Sequence, residues 1–234
     1  MQLFITNFKI NWDKIDIENS EILDQIRKVL RMKIWDTIFI QNNNTRFEIE
    51  ITNRNDKCFW WKIINEYNFN QKTQWNSIAI AMPNKWDKIE LLVQKITEIW
   101  IKNIYFWPSE RSIIRERNEK KHERLKKIAK EAVEQSWWRF TPEITFIKNI
   151  SEIIEWKNIV VFDKTDNIES FNDRKFNKEF ENTLWIIWPE WWLTENDYKN
   201  FRNNYKTISL WDTVLRAETA GIIASRLLKN INLI

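Results

Sequence analysis

The sequence predicts two domains, a small β-barrel that carries one helix and an α/β domain with a largely parallel sheet. Short β-favouring runs separated by polar turns fill about the first seventy residues. From Ser77 onward, strands alternate with longer helices, an order typical of a parallel sheet covered by helices. The polar stretch 65–76 favours a hinge between them, so the predicted domains are 1–72 and 73–234.

The first domain is predicted to contain four strands and one helix. β-Branched and aromatic residues mark the strands, which are Leu3–Ile5, Thr37–Ile40, Phe47–Ile51 and Trp60–Ile64. Ser20 is the predicted N-cap of the helix. An apolar stripe at helical spacing follows, formed by Ile22, Ile26, Val29 and Leu30.

The second domain is predicted to alternate strands and helices. The strands are Ser77–Met82, Asn103–Phe106, Ile144–Ile147, Asn158–Phe162, Leu184–Ile187 and Thr207–Leu210. The helices are Lys88–Trp100, Arg117–Gln135, a helix capped by Thr194 that runs through Phe201, and Arg216–Leu228.

Length and composition exclude several classes of protein. No stretch approaches the roughly 18 apolar residues that a membrane helix needs, and the N-terminus lacks a secretion signal, so a cytoplasmic protein is expected. Cys58 is the single cysteine and His122 the single histidine, too few for an internal disulfide or a zinc site. We therefore expect no metal, and we predict that His122 is a solvated helix residue.

The charge distribution indicates a basic helix. The net charge is only +4, but the segment 111–130 holds nine basic and three acidic residues, a local charge of +6. Such a helix is suited to a phosphate backbone. A solvated helix face explains the same pattern, and composition alone does not decide between them.

Glycine is almost absent from the chain. Gly221 is the single glycine, whereas about sixteen are expected at this length, and the chain has sixteen tryptophans. Many tryptophans occupy turn-like contexts, such as Trp35 and Trp86, each followed by Asp. Our hypothesis is that UGA codons read as glycine in the source are written as tryptophan. The alternative is a tryptophan-rich core, and Trp107, in an apolar run before a proline, is compatible with it.

Two loops after predicted strands are candidates for a ligand site, because ligands bind at the carboxyl ends of parallel strands. With glycine restored, the segment 187–193 reads I-G-P-E-G-G-L, which would let the backbone approach a ligand closely. The segment 211–220 places Arg216, Glu218 and Thr219 at a helix start.

These segments resemble one family. With glycine for tryptophan, IIWPEWWLTEND and SLWDTVLRAETAG resemble the GPEGG and LG…LR.ETA motifs of the RsmE-type 16S ribosomal RNA uridine-N3 methyltransferases. AMPNKWDKIELLVQKITEIW, PSERSII and ERLKKIAKEAVEQSWWR are similar to further family segments, and RKVLRMKIWD resembles one in its N-terminal domain. The agreement keeps the family's order over nearly the whole chain.

The resemblance implies a PUA-like β-barrel joined to a SPOUT α/β domain with a trefoil knot, at about 160–225, that binds S-adenosylmethionine. It implies a homodimer that methylates N3 of a uridine in 16S ribosomal RNA of the small subunit, without metal. A SPOUT enzyme acting on another RNA and a non-catalytic RNA-binding homologue remain open.

Site residues follow from the motifs and their positions. The cofactor set is Phe162, Ile187, Trp188, Pro189, Glu190, Trp191, Trp192, Leu210, Trp211, Val214, Leu215, Thr219 and Ala220. Glu218 or Glu190 is the candidate base, and Arg216 is suited to stabilising charge on the uracil oxygens. Alternatively, Glu218 caps the last helix and Arg216 pairs with it. RNA contacts are expected from Arg27, Lys28, Arg31, Arg111, Arg115, Arg124 and Arg139.

Overall fold

The computed structural model describes residues 2–12, 14–42, 45–55, 59–69, 77–114, 118–154, 158–162, 183–188, 193–201, 205–210 and 214–231. The chain divides into two compact units. The first comprises 1–71 together with 133–140, and the second comprises 72–132 together with 141–234. The sequence did not predict that 133–140 would group with the first unit. None of the helices in the described ranges has the length and apolar character needed to span a membrane.

A six-stranded mixed sheet forms the first unit. Its strands are β1 (Leu3–Ile5), β2 (Phe8–Asn11), β3 (Lys14–Ile17), β4 (Thr37–Gln41), β5 (Thr45–Arg54) and β6 (Phe59–Asn68), in the order β1-β4-β5-β6-β3-β2. β1 and β4 are parallel, and the other pairs are antiparallel. The Phe8 ring on β2 lies 5.4 Å from the Phe47 ring on β5, although two strands separate them in the sheet. The sheet is therefore strongly curved.

The helix of the first unit differs from its prediction at both ends. Asn19, not Ser20, is the N-cap of α1 (Ser20–Asp24), and its side chain accepts the backbone N–H of Glu21 at 3.0 Å. A π-helical segment, Gln25–Val29, follows. Its wider turn changes the phase of the helix, so Val29 is 71% exposed although the sequence placed it on the apolar stripe. Leu30, predicted on the same stripe, is 37% exposed.

The polar segment predicted as a hinge is partly strand. β6 continues to Asn68, while 70–76 lie outside the described residues. Pairing with β5 explains the continuation, since Asn65 lies opposite Glu48 and its side-chain amide donates to the Glu48 carboxylate at 2.7 Å. The cross-strand partners, rather than local propensity, extend this strand.

The segment 133–140 is held in the first unit by its backbone carbonyls. The Arg46 guanidinium donates to the carbonyls of Trp137 (3.0 Å) and Trp138 (3.1 Å), and the Gln41 amide donates to that of Arg139 (2.9 Å). Burial, with a smaller contribution from the nearby charge of Arg139, lowers the pKa of Arg46 below its usual value. These donors satisfy carbonyls that follow a helix end and have no helical partner.

The second unit is built on a parallel sheet, which confirms the predicted α/β class. Its strands are β7 (Ser77–Ala81), β8 (Asn103–Trp107), β9 (Glu143–Phe146), β10 (Asn158–Phe162), β11 (Thr183–Ile187) and β12 (Tyr205–Ile208), in the order β12-β10-β11-β7-β8-β9. All of these pairs are parallel. Every residue of β7 and β11 is buried, as expected for central strands covered on both faces.

The helices of the second unit are α2 (Trp86–Glu98), α3 (Glu119–Ser136), α4 (Ser151–Ile154), α5 (Glu195–Lys199) and α6 (Ala217–Ile231). The predicted face of α2, which includes Ile89, Leu92 and Val93, is buried. Gly221 of α6 lies so close to α2 that an added Cβ would be 2.7 Å from Cδ2 of Leu92. Glycine therefore permits the close approach of these two helices.

His122 is buried, so its prediction as a solvated residue is wrong. Its side chain is 7% exposed, and Nε2 lies 3.1 Å from the carbonyl oxygen of Ile144 in β9. The buried face of α3 continues at Leu125 and Ala129, at helical spacing from His122. Charge runs on either side of the histidine hid this face in the sequence.

Tryptophan dominates the positive-φ positions of the described backbone. Of the five non-glycine residues with positive φ, four are tryptophan, namely Trp12, Trp35, Trp100 and Trp137. Trp100 has φ 78° and lies in a motif that ends α2. Its N–H donates to the carbonyl of Thr97 at 2.9 Å, and the N–H of Ile101 donates to the carbonyl of Ile96 at 3.3 Å. This motif usually carries glycine at the position of Trp100.

Other tryptophans are core residues. Trp61 and Trp107 are 2% and 1% exposed, and their indole Nε1 atoms make no hydrogen bond within the described residues. The described tryptophans therefore include both residues at positive-φ turns and residues in the interior.

Candidate functional site

The carboxyl ends of three neighbouring strands lie level with one another. Phe162, the last residue of β10, pairs with Ile187 of β11 on one side and with Ile208 of β12 on the other. Ile187 also pairs with Ile80 of β7. The loops after β11 and β12 therefore leave the sheet from the same edge, on either side of β10.

The predicted cofactor residues divide by burial. Those at or near the strand ends are buried, as are one residue after β11 and one in α6: Phe162, Ile187, Leu210, Trp188 and Ala220. Leu215 is partly buried, whereas Val214 and Thr219 are exposed. The remainder lie outside the described residues: Pro189, Glu190, Trp191, Trp192 and Trp211. Most of the described members therefore belong to the apolar core of the second unit.

Arg216 and Glu218 stand at the start of α6. The carbonyl of Arg216 accepts the N–H of Ala220 at 2.9 Å, which places Arg216 at the N-cap, and its side chain is exposed. Glu218 is in the first turn, where the helix dipole favours a carboxylate.

Glu218 forms an ion pair with a lysine that was not predicted from the sequence as a site residue. Its side chain is 14% exposed, and its buried Oε2 lies 3.5 Å from Nζ of Lys88 in α2 and makes no hydrogen bond within the described residues. The partner of Glu218 in this ion pair is Lys88 and not Arg216, which was the alternative partner expected from the sequence. Lys88 lies in the family-like segment AMPNKWDK, and this resemblance is the sequence feature that could have marked it as a site residue.

The loop after β8 contains the segment Ser109–Ser112, which is hydrogen-bonded to the residue that follows β7. Ser109 is fully buried and Ser112 nearly so. The Ser112 hydroxyl oxygen accepts the N–H of Ser109 at 3.0 Å and lies 3.3 Å from the carbonyl oxygen of Met82, which follows β7. From this loop, the sequence predicted Arg111 alone as a site residue.

The RNA-binding candidates of the first unit differ in their surroundings. Arg27 packs over the Phe59 ring at 5.4 Å, and its Nε and Nη2 are buried without a hydrogen bond within the described residues. Lys28 is largely exposed and lies 2.8 Å from Asp24, and this hydrogen bond lowers the pKa of Asp24. Arg31 is exposed. Arg139 is also exposed, with its guanidinium 5.4 Å from the Phe69 ring.

In the second unit, Arg124 is held by an acidic partner. Its Nε lies 2.6 Å from Oε1 of Glu90, and Nη2 donates to Oε2 at 2.9 Å. The hydrogen bond to Glu90 is the main cause that raises the pKa of Arg124. Arg111 is exposed, and Arg115 lies outside the described residues. No group of three or more potential metal ligands occurs within the described ranges.

Comparison with known proteins shows which protein family most of the chain matches. Residues 70–229 match the family model described as RNA methyltransferase domain. The ribosomal RNA small subunit methyltransferase E of Bacillus subtilis (strain 168) is 29% identical over 160 residues, which cover 63% of this chain and 62% of that protein. The match therefore spans less than two thirds of the length of this curated relative.

Two solved structures share the fold over almost the full chain. A ribosomal RNA small subunit methyltransferase E from Neisseria gonorrhoeae, bound to S-adenosyl methionine, has a TM-score of 0.78 at 18% identity, covering 99% of this chain and 98% of that chain. A probable rRNA-methyltransferase from Porphyromonas gingivalis has a TM-score of 0.79 at 22% identity, covering 100% and 99%. Since the family model covers more than half of the sequence, the chain belongs to the RNA methyltransferase domain family.

Proposed function

We propose that this protein transfers a methyl group from S-adenosylmethionine to N3 of a uridine in 16S ribosomal RNA of the small subunit. The observation that carries the proposal is the paired register of Phe162, Ile187 and Ile208, because of which the two motif-bearing loops leave the same edge of the sheet on either side of β10. Family membership, the Bacillus relative and the Neisseria structure with its bound methyl donor support it.

The described residues suit an adenosine-bearing ligand. Phe162, Ile187 and Leu210 are buried apolar residues at or just beyond the strand ends, and we expect the flat adenine base to bind beside them at this edge. The loop that follows Ile187 carries the GPEGG-like segment, which we assign to backbone contacts with the cofactor. The trefoil knot of the SPOUT fold would bring the 211–220 segment against the same surface.

Charged residues at the start of α6 fit the chemistry of methyl transfer. When bound, S-adenosylmethionine supplies a methyl group that leaves the sulfonium sulfur as the bond to uracil N3 forms, and the N3 proton passes to a base. We assign Glu218 as the base that accepts this proton, since its buried Oε2 makes no hydrogen bond to any residue that the structure describes. Glu190 is the second candidate. We assign to Arg216, which is exposed at the helix N-cap, the stabilisation of charge on the uracil oxygens.

RNA binding is assigned to basic residues of both units. In the first unit, Lys28, Arg31 and Arg139 are exposed cations on the PUA-like domain, and phosphate contacts of this kind position RNA without reading its sequence. Arg111 and Arg115 are the candidates in the second unit. We assign the protein to the cytoplasm and expect it to work as a homodimer.

The proposal is tested by methylation of 16S ribosomal RNA from a strain that lacks the endogenous enzyme. The full chain and a variant carrying Trp188→Gly, Trp191→Gly, Trp192→Gly and Trp211→Gly are incubated with the methyl donor and small subunits. Mass mapping of nuclease fragments should locate one base-linked methyl group on a uridine. A ribose methyl group, or a methyl group on another RNA only, would reject the N3 assignment. Absence of saturable cofactor binding in both proteins would reject the enzyme.

A further inference from the structure

A buried carboxylate joins the loop after β8 to the start of α5. Asp197 is 3% exposed, and its Oδ1 accepts the backbone N–H of Glu110 at 3.0 Å while Oδ2 accepts that of Thr194 at 2.9 Å. The N–H of Asp197 donates back to the Thr194 hydroxyl oxygen at 3.2 Å, completing a capping box. One carboxylate therefore fixes two backbone segments that are 87 positions apart in the chain.

The side chain of Glu110 makes a second connection between the same segments. Its carboxylate accepts the hydroxyl of Thr194 and the side-chain amide of Asn196, the latter at 3.2 Å. Glu110 is exposed, so this connection can be removed without opening the core. The backbone next to Glu110 is held as well, because the Ser109–Ser112 turn is hydrogen-bonded to the carbonyl of Met82, which follows β7.

The two connections hold the downstream end of the segment assigned to the cofactor. The upstream end, Ile187, is fixed by strand pairing with Phe162 and Ile80. The downstream end is Thr194, at the start of α5, a helix of only five residues that is too short to be stable alone. The position of Thr194 therefore depends on its side-chain partners from the β8 loop.

We propose that Glu110 and Asp197 are positioning residues for the methyl donor, which fix Thr194, at the downstream end of the 187–193 segment, before the ligand arrives. An anchor that is already in place reduces the conformational freedom that is lost on binding, so the affinity rises without a direct contact. This inference rests on the proposed function, in which this segment binds S-adenosylmethionine.

The test measures cofactor affinity in variants of the exposed Glu110, which leave the core intact, and of the buried Asp197. Glu110→Ala, Glu110→Gln and Asp197→Ala are built in both parent proteins of the methylation experiment. Glu195→Ala is the matched control, because Glu195 is an exposed acid in the first turn of the same helix and its loss removes the same charge. Isothermal titration gives the Kd for S-adenosylmethionine, and thermal unfolding gives Tm.

Glu110→Ala should weaken binding about tenfold with an unchanged Tm, because two hydrogen bonds to the loop anchor are lost. Its KM for the methyl donor should rise while kcat at saturation stays within about twofold of the parent. Glu110→Gln, which keeps an acceptor oxygen, should recover part of the affinity, and Asp197→Ala should lose more than Glu110→Ala.

A Kd for Glu110→Ala within twofold of a binding parent would overturn the inference and leave the proposed function intact. An equal loss in Glu195→Ala would also overturn it, since the effect would then be one of charge. Failure of both parents to bind S-adenosylmethionine would reject the proposed function itself, and the inference with it.

Discussion

The ammonium nitrogen of Lys88 in α2 lies 3.5 Å from the buried Oε2 of Glu218 in the first turn of α6. Lys88→Met should lower kcat at least tenfold, because the proposed base loses the cation that orients it. It should also reduce the free energy of unfolding by about 1–3 kcal/mol, since a mostly buried carboxylate is left without its partner. Steady-state kinetics and urea unfolding measure the two effects.

Lys95→Met is the control for this prediction. Lys95 lies on the same helix, 3.0 Å from Glu98, in a more exposed ion pair. Such pairs contribute about 1 kcal/mol or less, so this variant should keep its kcat. Equal kcat values for Lys88→Met and the parent would remove Glu218 from the proposed mechanism.

The close approach of Gly221 to Leu92 predicts that Gly221→Ala has opposite effects on stability in the parent protein and in a Leu92→Ala background. An alanine Cβ at 221 would lie 2.7 Å from Cδ2 of the fully buried Leu92, so Gly221→Ala should destabilise the protein by about 1 kcal/mol despite its better helix propensity. In a Leu92→Ala background the clash is absent, and the same substitution should stabilise by a similar amount. Chemical denaturation of the four proteins gives the comparison. Destabilisation in both backgrounds would show that the clash is not the cause.

Trp100 is predicted to destabilise the end of α2. A left-handed backbone costs a residue with a Cβ about 1–2 kcal/mol, and glycine avoids this cost. Trp100→Gly should therefore raise the free energy of unfolding by about 1 kcal/mol. Trp107→Gly, at a core position 1% exposed, should lower it by about 3–5 kcal/mol. Opposite signs in thermal unfolding are the expected result, and a loss of stability in both variants would contradict this explanation.

The glycine hypothesis makes a separate prediction for the native protein. Peptides of the protein isolated from its source should have the mass of glycine at the positive-φ positions Trp12, Trp35, Trp100 and Trp137. Tandem mass spectrometry of tryptic fragments reads these positions directly. Tryptophan masses at all four would end the hypothesis.

The ion pair with Glu90 predicts a small role for Arg124 in RNA binding. Arg124 must leave both carboxylate oxygens of Glu90 to reach a phosphate, whereas Lys127 is an exposed cation of the same helix. Lys127→Gln should therefore reduce the slope of log K against log salt by about 0.7–0.9, the value of one phosphate contact. Arg124→Gln should change it by less than half as much. Filter binding over a salt series gives both slopes, and a larger effect from Arg124 would assign the contact to the arginine.

The sequence predicted most of the second unit because its strands are continuous apolar runs. β10 and β11 were located to within a residue, since buried parallel strands leave this signal in the chain. β2 and β3 were not predicted. They have four residues each, and their stability depends on cross-strand neighbours rather than on their own composition.

The two loops of the candidate site could be proposed from the sequence, but the residues that contact their flanking helices could not. The motifs at Ile187 and Arg216 follow strands, so their common edge could be inferred. The link from Glu110 to Asp197 spans 87 positions and is made by a backbone N–H, which no side-chain pattern reveals. Lys88 was missed for a similar reason, because α2 and α6 lie at opposite ends of the second unit in sequence.

The level strand ends at Phe162, Ile187 and Ile208 have an evolutionary consequence. Successive side chains of a strand face opposite sides of the sheet, so a one-residue insertion or deletion within β10 would exchange its two faces and displace its end relative to both neighbours. Point substitutions that keep an apolar side chain leave that alignment intact. We therefore expect homologues to vary in residue type along these strands while keeping their lengths constant.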